Sequence, residues 1–487
     1  MRRAVMKGDF SRDSFNRLRH YTRVLQQQGR VELDSDGNER QAIQLHYLRS
    51  LAMHVIGPRG GPGDSFKLNG TPVARPLKGD FLIGKGAYYV DGWLCENDAD
   101  VYFAGLDGRT RQPWWRPGAE MLKPNLRYLV YLDAWERHVG SAEVDDDDAL
   151  ASPSALREVA LGGPDTATRA QVVWQVKVAP EDPDHTFPVQ IDKPSWATWM
   201  TEHWDVWQEA WQPSGRGQLK ARAASPPAAS QPCIVSPESR YRGLENQLYR
   251  IEIHRGGLAN DAQTPTFVWS RENGSVIFPI EPGSNGSASL VEGWRDARFD
   301  LAINDVVELS DETTALSGRA GPLLRVTGVD PDSWAISFEG SVADIEGPHP
   351  ILRRWDHGRR RSTAAALGKH VDGRPKTADD RALLVEEGRW LAIEDGIEIW
   401  FEPADAAGAP QHYRSGDYWL VPARTATGNI LWPRGPGQGQ LPLAQPPHGV
   451  EHHYAPLGVA TIDVNGLVNL SDEPRLTFKS LVELSNP

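Results

Sequence analysis

Asp34, Asp36 and Asn38 occupy every second position of the stretch LDSDGNERQAIQLHYL, which is the spacing of the first ligands in an EF-hand calcium loop. Such a loop also needs glycine at its sixth position and a bidentate glutamate at its twelfth. Those positions hold Glu39 and Leu45 here. The calcium interpretation therefore lacks both the sharp turn and the closing carboxylate.

The same stretch is better explained as the start of a helix. Asp36 with Glu39, or Asn38 with Gln41, has the spacing of a capping box, in which two side chains bond to the first free backbone N–H groups. Apolar residues then recur at helical spacing up to a Gly-Pro stop at 57–58. These apolar residues are Ile43, Tyr47, Leu48, Leu51, Ala52 and Val55. The sequence predicts a capped helix here rather than a metal site.

Other candidate reactive groups lack the companions that their chemistry needs. His452 and His453 are neighbours, and neighbouring residues of a strand point to opposite faces, which favours a structural hydrogen-bonding cluster over a transition-metal site. The acidic pair Glu394-Asp395 is typical of a solubilising turn, since a glycosidase needs two carboxyl groups facing each other across a cleft. No G-x-S-x-G motif or complete phosphate loop occurs. We predict no catalytic, cofactor-binding or metal-binding residues, and no enzyme activity.

The composition limits the class of partner and the compartment. The chain has 487 residues, with Lys+Arg 52 against Asp+Glu 65 and a net charge of −13. Basic residues and aromatics do not interleave in a pattern that would follow a phosphate backbone, so nucleic acid is not an expected partner. Cys95 and Cys233 are too few for a disulfide framework, which favours folding in a reducing compartment. No run approaches the ~18 apolar residues of a membrane span. We expect synthesis in the cytoplasm without membrane insertion.

Short apolar runs separated by Gly, Pro, Asn and Asp dominate the chain after the first helix. This rhythm predicts a mainly β protein with several small β-sandwich or barrel-like domains, an N-terminal arm and a few helices. D-G pairs at 91–92 and 395–396 and an N-G pair at 273–274 are each expected to close a β hairpin.

The sequence predicts a second helix at residues 195–212, which is rich in tryptophan. Trp196, Trp199, Trp207 and Trp211 lie close to one helical face. Such a stripe favours packing on a sheet or on a partner subunit over ligand binding.

Four consecutive regions follow from these patterns. They are an N-terminal arm with the capped helix at 1–58, a first β-rich domain with the Trp-rich helix at 59–212, a Pro/Ser/Ala-rich linker at 213–232, and a second β-rich region of one or two subdomains at 233–487. The arm mixes aromatic and basic residues without a clean period, so we interpret it as a docking segment that lies extended on another surface.

Partner-binding residues are predicted within that arm. Aromatic and arginine side chains most often anchor protein interfaces. On this ground we name Phe10, Phe15, Tyr21 and Arg23 as partner-binding residues.

Several motifs distributed along nearly the whole chain carry a resemblance to a known group of proteins. They are MKGDFSRDSF, RHYTRVLQQQGRVELDSDGNE, IGPRGGPG, YYVDGWLCEN, YLDAWERHV, REVALGGPDTATRAQVVWQVKV, FVWSRENGSV, SGDYWLVPARTATGNILWP and PPHGVEHHYAPL. The chain resembles an uncharacterised bacterial family of phage-tail-derived proteins, sometimes fused to a right-handed parallel β-helix and encoded among baseplate genes of contractile injection systems.

The resemblance implies a structural role in a phage-tail-like contractile particle. The chain would lie at or near the baseplate and act as an adaptor for a tail fibre or spike. The implied partners are other baseplate or tail subunits and further copies of the chain, with a trimer as the expected oligomer. The implied location is the cytoplasm at synthesis, followed by a particle that is released from the cell.

Two alternative functions stay open. The chain has Trp 18, and exposed indoles along one groove would suit a module that recognises a cell-surface glycan. A polysaccharide hydrolase, the least favoured alternative, would need two convergent carboxylates in a Trp-lined cleft. The exposure of the tryptophans separates these alternatives from a packed core or interface.

Overall fold

A computed structural model gives the structure of the chain and describes most of its residues. The described residues are 7–69, 78–115, 121–144, 156–161, 165–181, 186–188, 191–212, 217–224, 240–259, 265–283, 286–291, 300–342, 345, 347–358, 378, 380–403, 411–436 and 440–479. Most of the linker predicted at 213–232 lies outside them, as does Cys233.

The described residues form two compact units, each assembled from three separate stretches of the sequence. The first, called the barrel unit, comprises Met1–Ser14, His138–Ala170 and Gly215–Val450 as far as they are described. The second, called the helix unit, comprises Phe15–Arg137, Gln171–Ser214 and Glu451–Pro487 within the same limits. The sequence interpretation placed consecutive domains at 59–212 and 233–487, whereas each unit recruits strands that are distant along the chain.

Short strands dominate the secondary structure. The α-helices of the described residues are α1 (Asp34–Val55), α2 (Lys193–Trp211) and α3 (Glu312–Leu316). The strands are β1 (Arg59–Pro62), β2 (Leu68–Asn69), β3 (Leu82–Ile83), β4 (Gly86–Val90), β5 (Trp93–Asn97), β6 (Val101–Tyr102), β7 (Arg127–Val139), β8 (Arg169–Pro180), β9 (Leu219–Ala223), β10 (Gln247–Arg255), β11 (Gly257–Leu258), β12 (Thr266–Ser270), β13 (Ile277–Pro282), β14 (Ser287–Leu290), β15 (Val306–Ser310), β16 (Leu323–Asp330), β17 (Ala335–Glu339), β18 (Ile351–Trp355), β19 (Leu383–Leu384), β20 (Trp390–Ala392), β21 (Ile397–Phe401), β22 (His412–Tyr413), β23 (Tyr418–Arg424), β24 (Asn429–Ile430), β25 (His453–Ile462), β26 (Val468–Ser471) and β27 (Thr477–Phe478). The predicted mainly β fold class, with several small sheets and few helices, is confirmed.

A closed six-stranded barrel lies in the barrel unit. Its order is β13-β14-β17-β16-β15-β18, and every neighbouring pair of strands is antiparallel. Alternate residues point inward and fill the barrel, for example Phe278 and Ile280 on β13 and Ile336 on β17. Closure leaves these six strands without an open sheet edge.

A five-stranded sheet of order β19-β12-β10-β23-β24 accompanies the barrel. Apolar and charged residues alternate along the central strand β10, and successive side chains of a strand point to opposite faces of the sheet. Tyr249, Ile251 and Ile253 enter an apolar core shared with the sheet β20-β21-β9. Arg250 and Glu252 lie on the opposite face and are also buried. The sheet therefore has an apolar face and a charged buried face.

Two of the three predicted hairpins are confirmed. The D-G turns at 91–92 and 395–396 join the paired strands β4–β5 and β20–β21, and both central residues of each turn have positive φ. The N-G turn at 273–274 has the same backbone conformation. However, β12 pairs with β10 and β19, whereas β13 pairs with β14 and β18. The hairpin predicted there is wrong, because the turn carries the chain from the five-stranded sheet into the barrel.

The helix unit contains sheets of order β26-β25-β7-β8, β27-β1-β4-β5 and β2-β3-β6. Strand β7 is buried on both faces along most of its length. Val130 and Leu132 enter the main core of the unit, whereas Leu129 and Tyr131 belong to a second apolar cluster with α2. The long strands β7 and β25 thus hold a core on one face and a helix on the other.

Helix α2 forms where the sequence predicted it, with boundaries of 193–211. Asp192 accepts a 2.9 Å hydrogen bond from the backbone N–H of Ser195, and Pro194 lies in the first turn. The buried indoles are Trp196, Trp199, Trp204 and Trp207. Trp211 stacks on Tyr131 of β7, with 4.0 Å between ring centroids. The prediction that this aromatic stripe packs on a sheet is confirmed.

Candidate functional site

The two neighbouring histidines bond to two different carboxylates of the helix unit. His452 Nδ1 lies 2.7 Å from Asp133 Oδ1, and His453 Nδ1 lies 3.0 Å from Asp91 Oδ2. The imidazoles therefore diverge, as expected for neighbours in extended backbone. Across the described ranges, no group of three or more His, Cys, Asp or Glu side chains is arranged to hold a metal ion.

Asp133 is the buried centre of a polar cluster. Lys177 Nζ lies 2.5 Å from its Oδ2, on the other side from His452. Burial raises the pKa of Asp133, but His452 and Lys177 together lower it more, and the net result is a pKa of about 2. The carboxylate is therefore ionised in the folded protein and bonds to both neighbouring side chains.

Asp133→Asn is expected to lower the free energy of unfolding of the helix unit by about 2 kcal/mol at neutral pH. The pKa falls from 3.8 to about 2 on folding. Stability from the ionised form is therefore fully present above pH 3.8 and is lost as the pH falls through 2. When measured by urea denaturation across this range, the unfolding free energies of the wild type and the variant should converge at the acid end. Glu473→Gln, at an exposed carboxylate, is the control, and a difference independent of pH contradicts the account.

The first described residues of the arm bind to the charged face of the five-stranded sheet. Glu252 Oε2 lies 2.5 Å from Arg250 Nε, and its Oε1 lies 2.8 Å from Lys7 Nζ. Asn273 Nδ2 donates a 2.9 Å hydrogen bond to the carbonyl oxygen of Gly8. Burial raises the pKa of Glu252, but Arg250 and Lys7 lower it to about 2, while burial lowers the pKa of Lys7. The start of the arm is thus fixed to its own chain.

The structure separates the four residues that the sequence nominated for partner binding. Phe10 belongs to the barrel unit, where its ring meets the ring of His138 edge-on at 6.4 Å. Phe15 and Tyr21 line one groove of the helix unit, and Arg23 is exposed further along the arm. Two of the four residues are therefore brought together, and the role of all four in partner binding stays a prediction.

The groove runs between the arm and α1 and has a volume of about 380 Å³. The arm contributes Phe15, Arg17, His20 and Tyr21, and α1 contributes His46, Tyr47, Ser50, Leu51 and His54. The Phe15 ring lies 5.9 Å from the ring of His46. The lining contains aromatic rings, imidazoles and one guanidinium, and it contains no carboxylate. This chemistry suits a partner segment that combines apolar side chains with negative charge.

Helix α1 begins earlier than the sequence predicted. Its first residue is Asp34, and the N-cap Leu33 makes no side-chain capping hydrogen bond. The predicted capping box is wrong, since Asp36 lies inside the first turn, where its carboxylate interacts favourably with the positive end of the helix. The predicted stop is confirmed, because the helix ends at Val55 and Gly57 N–H donates to the Met53 carbonyl oxygen.

One face of α1 is fastened to the β4–β5 hairpin. The Arg49 guanidinium lies 3.3 Å from the centroid of the Trp93 ring and 3.5 Å from Glu136 Oε2. Gly92 has a φ of 80°, and a Cβ at that position would lie 2.4 Å from the Arg49 carbonyl oxygen. Ile43 is the buried apolar residue of this helix. These contacts fix the helix through one face, and Leu48, Leu51 and Val55 remain exposed.

Several large apolar residues of α1 are exposed, which the helical spacing did not reveal. Leu48, Leu51 and Val55 are 64%, 60% and 75% exposed. Of the 25 large apolar side chains that are exposed in the described part of the chain, ten lie between 18 and 55. These ten, called the arm–α1 surface, are Leu18, Tyr21, Leu25, Val31, Leu33, Leu45, Tyr47, Leu48, Leu51 and Val55. Because these exposed side chains are concentrated in one part of the chain rather than scattered singly, they form a candidate interaction surface.

The tryptophans and the acidic pair that motivated the two alternative functions make contacts within the fold. Among the described tryptophans, only Trp334 is exposed. The described tryptophans therefore form no groove of solvent-facing indoles. Of the acidic pair considered for catalysis, Glu394 bonds to Arg271 and accepts a 3.2 Å hydrogen bond from the Tyr249 hydroxyl. None of the described helices is long and apolar enough to cross a membrane. The arm–α1 surface is therefore the strongest candidate functional site.

Comparisons with known proteins give a family but no assigned activity. The model of the family of unknown function DUF6519 matches residues 6–186 and 213–469, and the chain belongs to that family. No curated protein matches the chain, and no solved structure matches it either.

Proposed function

We propose that this member of the DUF6519 family is a structural component of a phage-tail-like contractile injection particle, at or near the baseplate, where it serves as an adaptor for a tail fibre or spike. It binds its neighbours through the arm–α1 surface. In this proposal the chain is made in the cytoplasm and becomes part of a particle that is later released.

The observation that carries the proposal is the concentration of exposed apolar side chains on the arm and α1. An exposed apolar side chain contributes about 1.5–3 kcal/mol when a partner buries it fully. Tyr47 and Leu51 line the groove, and Leu48 is exposed on the same helix. Arg49 fastens this helix to the rest of the unit. A rigid helix that presents such a face binds with little loss of conformational entropy.

The resemblance carried by the sequence motifs supports the choice of a phage-tail-like particle. They span nearly the whole chain and resemble proteins encoded among baseplate genes of contractile injection systems. Lys7 of the arm pairs with the buried Glu252, so removing the whole arm would also remove a counter-charge of this carboxylate. Point variants on the exposed surface therefore test the proposal better than truncation.

Leu48→Gln with Leu51→Gln is expected to reduce incorporation into particles about tenfold or more, since two side chains that a partner buries contribute several kcal/mol. Glutamine keeps the helix propensity of leucine, so α1 should remain folded. Incorporation is measured by purifying particles from producing cells and quantifying the chain against sheath and tube proteins.

The matched control changes two leucines that are even more exposed but lie in the barrel unit. Leu244 and Leu441 are 99% and 77% exposed. Leu244→Gln with Leu441→Gln should leave incorporation unchanged. Particles that assemble without this chain, or that incorporate the α1 variant normally, contradict the proposal.

A further inference from the structure

We infer that the partner of the arm–α1 surface is a second copy of this chain, which receives the arginines of the arm on an acidic stripe formed by Glu96, Asp98 and Asp100. The inference rests on the proposed function, because it names the occupant of the same surface. Charge complementarity between two parts of one chain carries it.

The arm is strongly basic within an acidic protein. Residues 15–31 contain four arginines and no aspartate or glutamate, which gives this segment a charge of +4. The whole chain has a net charge of −13, so the rest of it carries −17. A segment of this charge is attracted to the remaining surface of another copy, and the attraction both steers association and selects the partner.

Three of the four arginines have no carboxylate partner among the described residues. Among the described residues no carboxylate forms an ion pair with Arg17, Arg23 or Arg30. Arg19 donates to the Tyr21 hydroxyl, at 3.5 Å. Arg17 also lines the groove beside Tyr21. Positive charge and exposed apolar side chains therefore occur together on one surface, which is the combination found at interface anchors.

The acidic stripe provides the complementary charge. It begins on β5, an edge strand whose residues alternate between buried and exposed, and it continues into the loop that follows. Glu96, Asp98 and Asp100 are all exposed. No lysine or arginine side chain of the described residues pairs with any of the three. Leu94 is exposed on the same face of β5 as Glu96 and adds apolar area.

A second copy is favoured over an unrelated acidic protein because both halves of the contact belong to the helix unit. Residues 17–23 and 94–100 both fall within Phe15–Arg137. Every copy therefore offers one basic surface and one acidic stripe, and the same contact can repeat from copy to copy. When the rotation between copies closes, such a repeating contact gives a ring.

Light scattering and sedimentation velocity of the full-length protein test this inference. At about 0.05 M salt the wild type is expected to exceed the monomer mass of 53.9 kDa, and at about 0.5 M salt it should shift toward the monomer because screening weakens the contact. Arg17→Glu with Arg19→Glu and Arg23→Glu should give a monomer. Glu96→Arg with Asp98→Arg and Asp100→Arg should also give a monomer.

Charge exchange supplies the decisive control. A chain that carries both sets of reversals should regain the mass of the wild-type oligomer, since the attraction is restored with opposite signs. Circular dichroism that matches the wild type shows that each variant is folded. A wild type that is monomeric at low salt overturns the inference, and so does a doubly reversed chain that stays monomeric.

These measurements distinguish a failure of the self-contact from a failure of the adaptor role. A monomeric protein that still enters particles removes the second copy as partner and leaves the adaptor role intact. A protein that forms the salt-sensitive oligomer but never enters particles supports the self-contact and removes the adaptor role.

Discussion

Glu252→Ala is expected to lower the free energy of unfolding of the barrel unit by about 3–5 kcal/mol, the cost of leaving a buried ion pair with one partner missing. The Arg250 side chain is 0% exposed and Lys7 is 18% exposed, so neither cation can regain full hydration when the carboxylate is removed. Chemical denaturation of both proteins at neutral pH gives the difference directly.

A surface glutamate provides the matched control for this substitution. Glu339 is 60% exposed and lies 3.5 Å from Arg381, so Glu339→Ala should cost less than about 1 kcal/mol. Adding Lys7→Met to Glu252→Ala removes one uncompensated cation and should recover part of the lost stability. A loss below about 1 kcal/mol for Glu252→Ala would show that the arm is not held by this charged cluster.

The barrel unit is also expected to lose about 3 kcal/mol between pH 6.5 and about pH 4 through His138 alone. Burial, followed by the nearby charges of Arg353, Arg250 and Lys7, lowers the pKa of His138 from 6.5 to about 3. The buried Nε2 has no hydrogen-bond partner among the described residues. Stability from the neutral imidazole is therefore fully present above pH 6.5 and is lost progressively as the pH falls toward 3.

His138→Phe tests this pH dependence. Phenylalanine keeps a planar ring beside Phe10 but takes up no proton. The difference in unfolding free energy between wild type and variant, measured by urea denaturation from pH 7 to about pH 4, should change by about 3 kcal/mol over that range. A difference that stays constant with pH contradicts the assignment, whatever its absolute size. His54→Phe, at a groove residue, controls for the general effect of replacing a histidine.

The backbone conformation of the tight turns was predictable from the sequence. Asp91-Gly92 closes its hairpin because both residues adopt the positive φ that a tight turn requires. Asn273-Gly274 adopts the same conformation, but its flanking strands find partners elsewhere. A dipeptide determines the turn, whereas strand pairing is decided by residues far away in the chain.

The division into two units could not be predicted for the same reason. Strand β7 pairs with β25, with Tyr131 opposite Pro456 and Leu129 opposite Val459. Both strands contain long runs of apolar residues, and nothing in either one specifies its partner. Boundaries drawn from linker composition follow the order of the chain, and they therefore miss a unit assembled from its beginning, middle and end.

The candidate site was only partly predictable. Aromatic and arginine content identified Phe15 and Tyr21, which lie in the groove. The helical spacing of Leu48 and Leu51 identified a helix, but the same spacing occurs in core-facing and in partner-facing helices. The contact of Arg49 with Trp93, which determines which face is exposed, depends on tertiary packing that the sequence pattern does not contain.

The central claim is that residues of the arm and α1 become covered when the protein assembles. Hydrogen exchange of the intact protein, compared between the free form and the assembled particle, tests it most directly. The account predicts that exchange slows across residues 15–55 on assembly, while exchange on the barrel strands β13–β18 does not change. Unchanged exchange at 15–55 in a particle that contains the chain would contradict it.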